Sequence, residues 1–143
     1  NTPSPDRVPA TPNQKLESYD LKHIMLQNSS SPEVWGPGLW FSLHNGALKY
    51  PDSPAPLWKE RMKNFILGIP VMLPCEKCSL HASAYIESQY PNLDEIVKNK
   101  HTLFSFFCNF HNLVNERLNK PTMSVKDAYE LYNNFNGTKV KMN

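Results

Sequence analysis

Prolines set the strongest constraint on this chain. Pro32, Pro51, Pro54, Pro70, Pro74, Pro91 and Pro121 divide residues 32–132 into segments, and the segments between them carry helical apolar spacing. Proline lacks an amide donor and its ring clashes with the preceding turn, so it starts or stops a helix far more readily than it sits inside one. No run alternates apolar and polar residues between hairpin turns, so no sheet is expected. The fold class is therefore all-α: a four-helix bundle with a short fifth helix.

The first helix starts at Ser31-Pro32-Glu33, a cap followed by proline and an early acid, and runs to about Tyr50. Trp35, Leu39, Trp40, Leu43, Ala47 and Leu48 share one face, and Pro37 sits early enough that regular helix is expected only from there. The second helix covers about 55–72, with Leu57, Trp58, Met62, Phe65, Ile66 and Ile69 facing inward and Pro70 kinking or ending it. The third opens at Pro74-Cys75 and runs to about Gln89, with Ala82, Tyr85 and Ile86 in the core. Leu93–Val97 reads as one helical turn. The fourth helix, Thr102–Leu118, is apolar nearly all round through Leu103, Phe104, Phe106, Phe107, Phe110, Leu113, Val114 and Leu118, which calls for burial on more than one side. Ser124 and Asp127 resemble a capping box that opens the fifth helix, to about Tyr132. Residues 1–30, with Pro3, Pro5, Pro9 and Pro12, read as a flexible arm with room for a short docked helix near 15–27. The domain is expected over 31–135, and 136–143 as a tail.

Fifteen Lys and Arg against thirteen Asp and Glu leave a net charge of +2, with no long basic or acidic run. Charge therefore makes no case for nucleic acid or an anionic membrane. The longest apolar run, Phe65–Leu73, is broken by Gly68 and Pro70 and is too short to span a bilayer. The start is Asn rather than Met, which points to a trimmed chain, and no signal peptide is expected.

The three cysteines, Cys75, Cys78 and Cys108, are an odd count and not a disulfide framework. Two of them form one C-x-x-C, whose loop is too short to gain much entropy on closure, so a metal or redox element is the better reading. A cysteine in the first turn of a helix lies near the positive end of the helix dipole, which favours its thiolate. The i, i+3 spacing then makes Cys75 the outer, attackable sulfur and Cys78 the inner one, a polarity that suits a dithiol relay. Structural zinc needs four ligands, and only His81 is near; no metal site is expected. Haem attachment needs His where Ser79 stands. A zinc- or partner-binding helical module with a non-catalytic pair, a flavin-free dithiol carrier, and two functionless cysteines stay open as alternatives.

The fourth helix also carries Cys108-Asn109-Phe110-His111-Asn112-Leu113-Val114-Asn115. His111 and Asn115 are i, i+4, so polar groups form a stripe on an otherwise apolar helix. Such a stripe suits a flat polar ligand inside the bundle; alternatively Asn109 and Asn112 face water. Trp35, Trp40, His44 and Tyr50 give a matching stripe in the first helix, which equally fits a plain core. A redox dithiol beside a polar, aromatic pocket calls for an electron acceptor such as a flavin.

Four motifs occur in order: Trp35-Gly36-Pro37-x-x-Trp40-x-x-Leu43-His44, Tyr50-Pro51, Pro74-Cys75-x-x-Cys78, and His111-Asn112-x-Val114-Asn115-x-x-Leu118-x-Lys120-Pro121. Together, over about 32–132, they resemble the Erv/ALR family of FAD-linked sulfhydryl oxidases, most closely in the form found in large cytoplasmic DNA viruses. The resemblance implies FAD enclosed by the bundle, with Cys78 as the flavin-proximal thiol and Cys75 as the interchange thiol. It implies a cofactor set of Gly36, Trp40, His44, Tyr50, Cys78, His81, Tyr85, Cys108, His111, Asn112, Val114, Asn115, Leu118, Lys120 and Tyr132. It further implies that electrons pass from a client or shuttle thiol protein through the Cys75–Cys78 disulfide to FAD and then to molecular oxygen, giving hydrogen peroxide. A homodimer is implied as well. So is work in the host cytoplasm or virion if the chain is viral, or in the mitochondrial intermembrane space if it is cellular. Many members join a cysteine at the position of Cys108 to one seventeen residues on. Val125 stands there instead, so Cys108 is expected to be a free, buried thiol.

Overall fold

The computed structural model describes residues 29–134. The expected tail, the expected docked helix near 15–27 and all but the last two residues of the expected arm lie outside the described residues. Those described are helical throughout: α1 (Pro32–Lys49), α2 (Pro56–Gly68), α3 (Glu76–Ser88), α4 (Leu93–Ile96), α5 (Lys100–Arg117) and α6 (Val125–Asn133). Short 3-10 turns at Ile69–Met72 and Tyr90–Asn92 join them, and no strand occurs among the described residues.

The two longest helices, α1 and α5, pack on each other and form the spine, with α6 closing over both. On the other side α3 rests on α2 and on the Ile69–Met72 turn. Ring packing fills the centre. Leu103, Phe104, Phe107 and Phe110 of α5 are all buried, and Phe104 sits edge-on to both His44 and Tyr129. Tyr50, at the end of α1, donates its hydroxyl to the Val97 carbonyl at 2.8 Å. That bond satisfies a buried phenol and ties α1 to the loop before α5.

Several elements differ from the sequence expectation. Helix α1 is regular from Pro32, with Pro37 inside it. The bond that Pro37 forfeits falls on the carbonyl of exposed Glu33, near the helix start, where the loss is small. Ser31 caps through its backbone carbonyl, which accepts from Val34 and Trp35, and not through its hydroxyl. Helix α5 begins at Lys100, two residues early, because Asn99 and Thr102 form a reciprocal capping box. Leu57, Trp58 and Phe65 are exposed rather than inward. Helix α2 lies on the outside of the bundle, so only a narrow line through Met62, Ile66 and Ile69 is covered. Toward its C-terminal end α5 also opens, leaving Leu113 and Leu118 exposed.

Candidate active site: a disulfide on the wall of a cavity

The chain leaves the Ile69–Met72 turn through Leu73 and Pro74 and enters α3 at Cys75. Cys75 is the N-cap in extended conformation, one position before the first turn where the sequence placed it. Its sulfur takes the place of a capping oxygen and accepts the Cys78 N–H at 3.2 Å, while its carbonyl accepts the Ser79 N–H at 2.9 Å. Cys75 and Cys78 form a disulfide with a Cα–Cα distance of 5.1 Å. Ser79 donates its hydroxyl to the Pro70 carbonyl at 2.7 Å, which fastens the disulfide-bearing helix to the preceding turn.

Beside this disulfide lies a cavity of about 370 Å³, within the size range of cofactor sites. Helix α1 contributes Gly36 and Trp40, α3 contributes Cys78, His81 and Ala82, and α5 contributes Phe110, Val114, Asn115, Arg117 and Leu118. Cys78 is on the wall and Cys75 is not among its residues. Lys120 reaches the wall because α5 ends in a Schellman-type reversal. Asn119 adopts φ 54°, Lys120 N–H bonds to the Asn115 carbonyl at 2.8 Å, and Asn119 N–H bonds to the Glu116 carbonyl at 3.1 Å. Asparagine is one of the few residues that tolerates this left-handed conformation.

A second void of about 40 Å³ is lined by His44, Cys108, His111, Asn112 and Tyr132, and it shares Asn115 and Pro121 with the larger one. Trp40 on the first cavity stacks on His111 on the second, at 4.1 Å and 8°. Two stacked rings therefore stand between the cavities. His44 stacks on Tyr132 at 4.7 Å and 8°.

The structure thus brings Gly36, Trp40, Cys78, His81, Val114, Asn115, Leu118 and Lys120 onto the larger cavity, and His44, Cys108, His111, Asn112, Asn115 and Tyr132 onto the smaller. Tyr50 and Tyr85 line neither. Tyr50 is engaged with Val97, and Tyr85 stacks on Phe106 and Phe110 behind the cavity. Asn112 uses its whole amide on the backbone of Met123, donating to the carbonyl at 2.6 Å and accepting the N–H at 3.0 Å, so it pins the loop before α6. Leu73, Ala82, Phe110, Leu113 and Arg117 also line the larger cavity and are not in the expected cofactor set. On α5 the signal was available, because Phe110, Leu113, Val114, Arg117 and Leu118 repeat at i, i+3, i+4, i+7 and i+8. Among the described residues no three His, Cys, Asp or Glu side chains converge to hold a metal ion.

Burial holds His44, Cys108 and Tyr132 neutral. His44 is 1% exposed, and burial, opposed by its bond to the Trp40 carbonyl and reinforced by His111, lowers its pKa to about 4. A carbonyl only accepts, so Nδ1 carries the proton in the 2.6 Å contact with Trp40 O and Nε2 is left as an acceptor. Burial pushes the Cys108 thiol to about 12, and burial with the Cys108 neighbour takes Tyr132 to about 12. Desolvation, aided by the positive charges of Arg117 and Lys77, lowers His81.

Two expectations follow. Between pH 6.5 and pH 4 the unfolded chain protonates at His44 while the folded chain does not, so folding stability falls as pH drops through that window. At about 1.4 kcal/mol per pKa unit the loss attributable to His44 is about 3 kcal/mol. Urea titrations at several pH values should show the wild type losing about 3 kcal/mol of stability between pH 6.5 and pH 4 that His44→Phe does not lose; equal losses would contradict the neutral, buried imidazole. Cys108, the free cysteine of the described chain, is buried and carries at pH 8 only about one thiolate per ten thousand molecules. Iodoacetamide should spare Cys108 in the native protein and label it in urea; native labelling at a rate like that of a free thiol would contradict this placement.

A helical bundle that carries a redox-type disulfide on the wall of a cofactor-sized cavity defines a class: dithiol–disulfide proteins built on helices rather than on a sheet. The profile of the Erv1/Alr family matches residues 37–135. Protein 096R of Invertebrate iridescent virus 3 is 44% identical over 104 residues, covering 73% of this chain and 69% of that protein. The FAD-linked sulfhydryl oxidase of African swine fever virus (isolate Warthog/Namibia/Wart80/1980) is 34% identical over 100 residues, covering 68% and 79%. The crystal structure of the FAD binding domain of Erv1 from Saccharomyces cerevisiae superposes with a TM-score of 0.65 at 28% identity, covering 71% of this chain and 93% of that one. The chain belongs to the Erv1/Alr family.

Proposed function

We propose that this chain is an FAD-dependent thiol oxidase that makes disulfides in client proteins. The observation that carries the reading is the placement of the disulfide: Cys78 faces the cavity, and Cys75 sits at the helix cap outside it. The names of its relatives, FAD-linked sulfhydryl oxidases, support it.

The residues present fit FAD. Trp40 and Phe110 offer ring surfaces for a flat heterocycle, and Gly36 leaves room beside the Trp40 indole. Buried Asn115 and neutral His44 offer polar atoms at the ring edges. Lys120 and Arg117 offer donors and positive charge for phosphates, and His81 offers a ring N–H. The proposed contact set also includes His111, Asn112, Val114, Leu118, Cys108 and Tyr132 around the two cavities, with Tyr50 and Tyr85 supporting the walls from behind. When bound, FAD takes up the electron pair and delivers it to molecular oxygen as hydrogen peroxide.

The chain's own part is thiol–disulfide exchange. A client thiolate attacks Cys75 Sγ, forming a client–Cys75 bond and releasing Cys78 as a thiolate that keeps the electron pair. The helix dipole of α3 and the N–H groups of its first turn favour negative charge at this end. A second client thiol then attacks the client sulfur, closing the client disulfide and freeing Cys75. Cys78 is thereby left charged, against the cavity, with the apolar walls excluding water. With dithiothreitol as substrate, peroxide should form in a one-to-one ratio with dithiol oxidised, read by oxygen electrode and catalase addition. Oxidation without peroxide would contradict the reading.

We further propose a homodimer. The exposed Leu57, Trp58 and Phe65 on α2 support it, because a monomer gains nothing from keeping three large apolar side chains on one helix in water. The domain spans 31–135 between an arm and a tail. It acts in the host cytoplasm or virion if the chain is viral, or in the mitochondrial intermembrane space if it is cellular. No helix among the described residues is long and apolar enough to cross a membrane.

A further inference from the structure

The Ile69–Met72 turn carries an apolar lip beside the disulfide. Val71 and Met72 are 83% and 81% exposed, the highest values among the large apolar residues described. They are not on a loose loop. Ile69 and Pro70 are buried in the core, and the Pro70 carbonyl accepts both the Leu73 N–H at 3.3 Å and the Ser79 hydroxyl at 2.7 Å. The turn is therefore fastened to the very helix that bears Cys78. From Phe65 to Cys75 the chain carries no charge.

The chemistry of the site says what covers this lip. A thiolate attacks a disulfide sulfur along the extension of the S–S bond, so a client reaches Cys75 from the side away from Cys78 and the cavity. Met72 lies three residues before Cys75, at most about 10 Å away along the chain. An extended client segment advances about 3.3 Å per residue and alternates faces, so the side chains two and four positions from the reacting cysteine, on the same face as its thiol, reach the distances spanned by Met72 and Val71. Resting on the oxidase reading above, we propose that Val71 and Met72 form a docking lip for client segments that carry apolar side chains two and four residues from the cysteine to be oxidised. The lip buries those side chains and holds the client thiol in line with Cys75, which lowers KM for such clients over small dithiols.

The test uses the FAD-loaded full chain, the double variant Val71→Ser/Met72→Ser, two dithiol peptides that differ only in having leucine or serine at those two positions, and dithiothreitol. Both substituted residues are exposed, so folding is expected to hold. The wild type should favour the leucine peptide by about tenfold in kcat/KM, mostly through KM. The double variant should lose that preference to within twofold, with dithiothreitol turnover unchanged. Fluorescence anisotropy of the leucine peptide with its cysteines replaced by serine should show the same loss of binding without any turnover. Equal kcat/KM for the two peptides in the wild type, or a preference that survives in the double variant, would overturn the docking lip. A change in oligomeric state by light scattering would overturn it in favour of a second copy as occupant. Absence of dithiothreitol oxidation in the wild type would overturn the oxidase reading itself, an outcome separate from all of these.

Discussion

Cys78→Ser abolishes oxygen consumption with dithiols, by a factor on the order of a thousand or more, while the protein keeps its FAD. The expected split follows from where the sulfur sits. Cys78 lies on the cavity wall, and no other cysteine among the described residues is placed to hand electrons inward, because Cys108 is buried as a neutral thiol. A hydroxyl in its place neither forms the disulfide nor carries the electron pair released when Cys75 is attacked. The cavity walls, by contrast, consist mainly of Trp40, Phe110, Val114 and Leu118, which the substitution leaves alone, so cofactor content should be unchanged. Oxygen-electrode rates and the flavin-to-protein absorbance ratio report the two halves separately. Turnover retained in the variant would refute the assigned role, and loss of FAD would show that the sulfur is needed for binding rather than transfer. Cys75 keeps a thiol in this variant, and as a thiolate it can attack the disulfide of an already oxidised client, forming a client–Cys75 bond and releasing one client thiol; with oxidised client supplied and the released thiol alkylated, the trapped partner identifies the client.

The largest expected effect on stability is at Phe104. Its ring is 1% exposed and meets His44, Tyr129 and Tyr132, so it joins α5 to both α1 and α6. Phe104→Ala leaves a void that neighbouring rings close only partly, and the cost is about 3–5 kcal/mol. Chemical denaturation should show a lower midpoint with little change in slope. A cost below about 1 kcal/mol would mean that the α1–α5–α6 junction is not the centre of the core. Because His44 and Tyr132 line the smaller void, weaker FAD retention should accompany the loss.

Much of this architecture is legible in the sequence because proline and capping chemistry are local. Pro54 and Pro74 fall two residues before helix starts, and Ser124 does cap α6 through its bond from Asp127 N–H. The Cys75–Cys78 spacing at a helix start likewise fixes which sulfur comes first. What the sequence hides is which face of a helix finds a neighbour. Leu57, Trp58 and Phe65 have the spacing of a core stripe, yet α2 sits at the edge of the bundle, and an apolar residue is not inside merely for being apolar. Asn112 shows the same limit for polar groups. Its place in an amide stripe suggests ligand contact, whereas its amide is spent on Met123, eleven residues away, a partner that no local rule supplies. Arg117 stands in the last turn of α5, where the helix dipole alone accommodates a basic residue, so nothing local marks its place on the cavity.

The central claim is that the cavity beside Cys78 holds a flavin that the disulfide reduces. Purified protein should be yellow with a flavin spectrum. Under anaerobic conditions dithiothreitol should bleach that colour, and admitting air should restore it. A colourless protein containing stoichiometric zinc, or a flavin that dithiothreitol fails to bleach, would contradict the account.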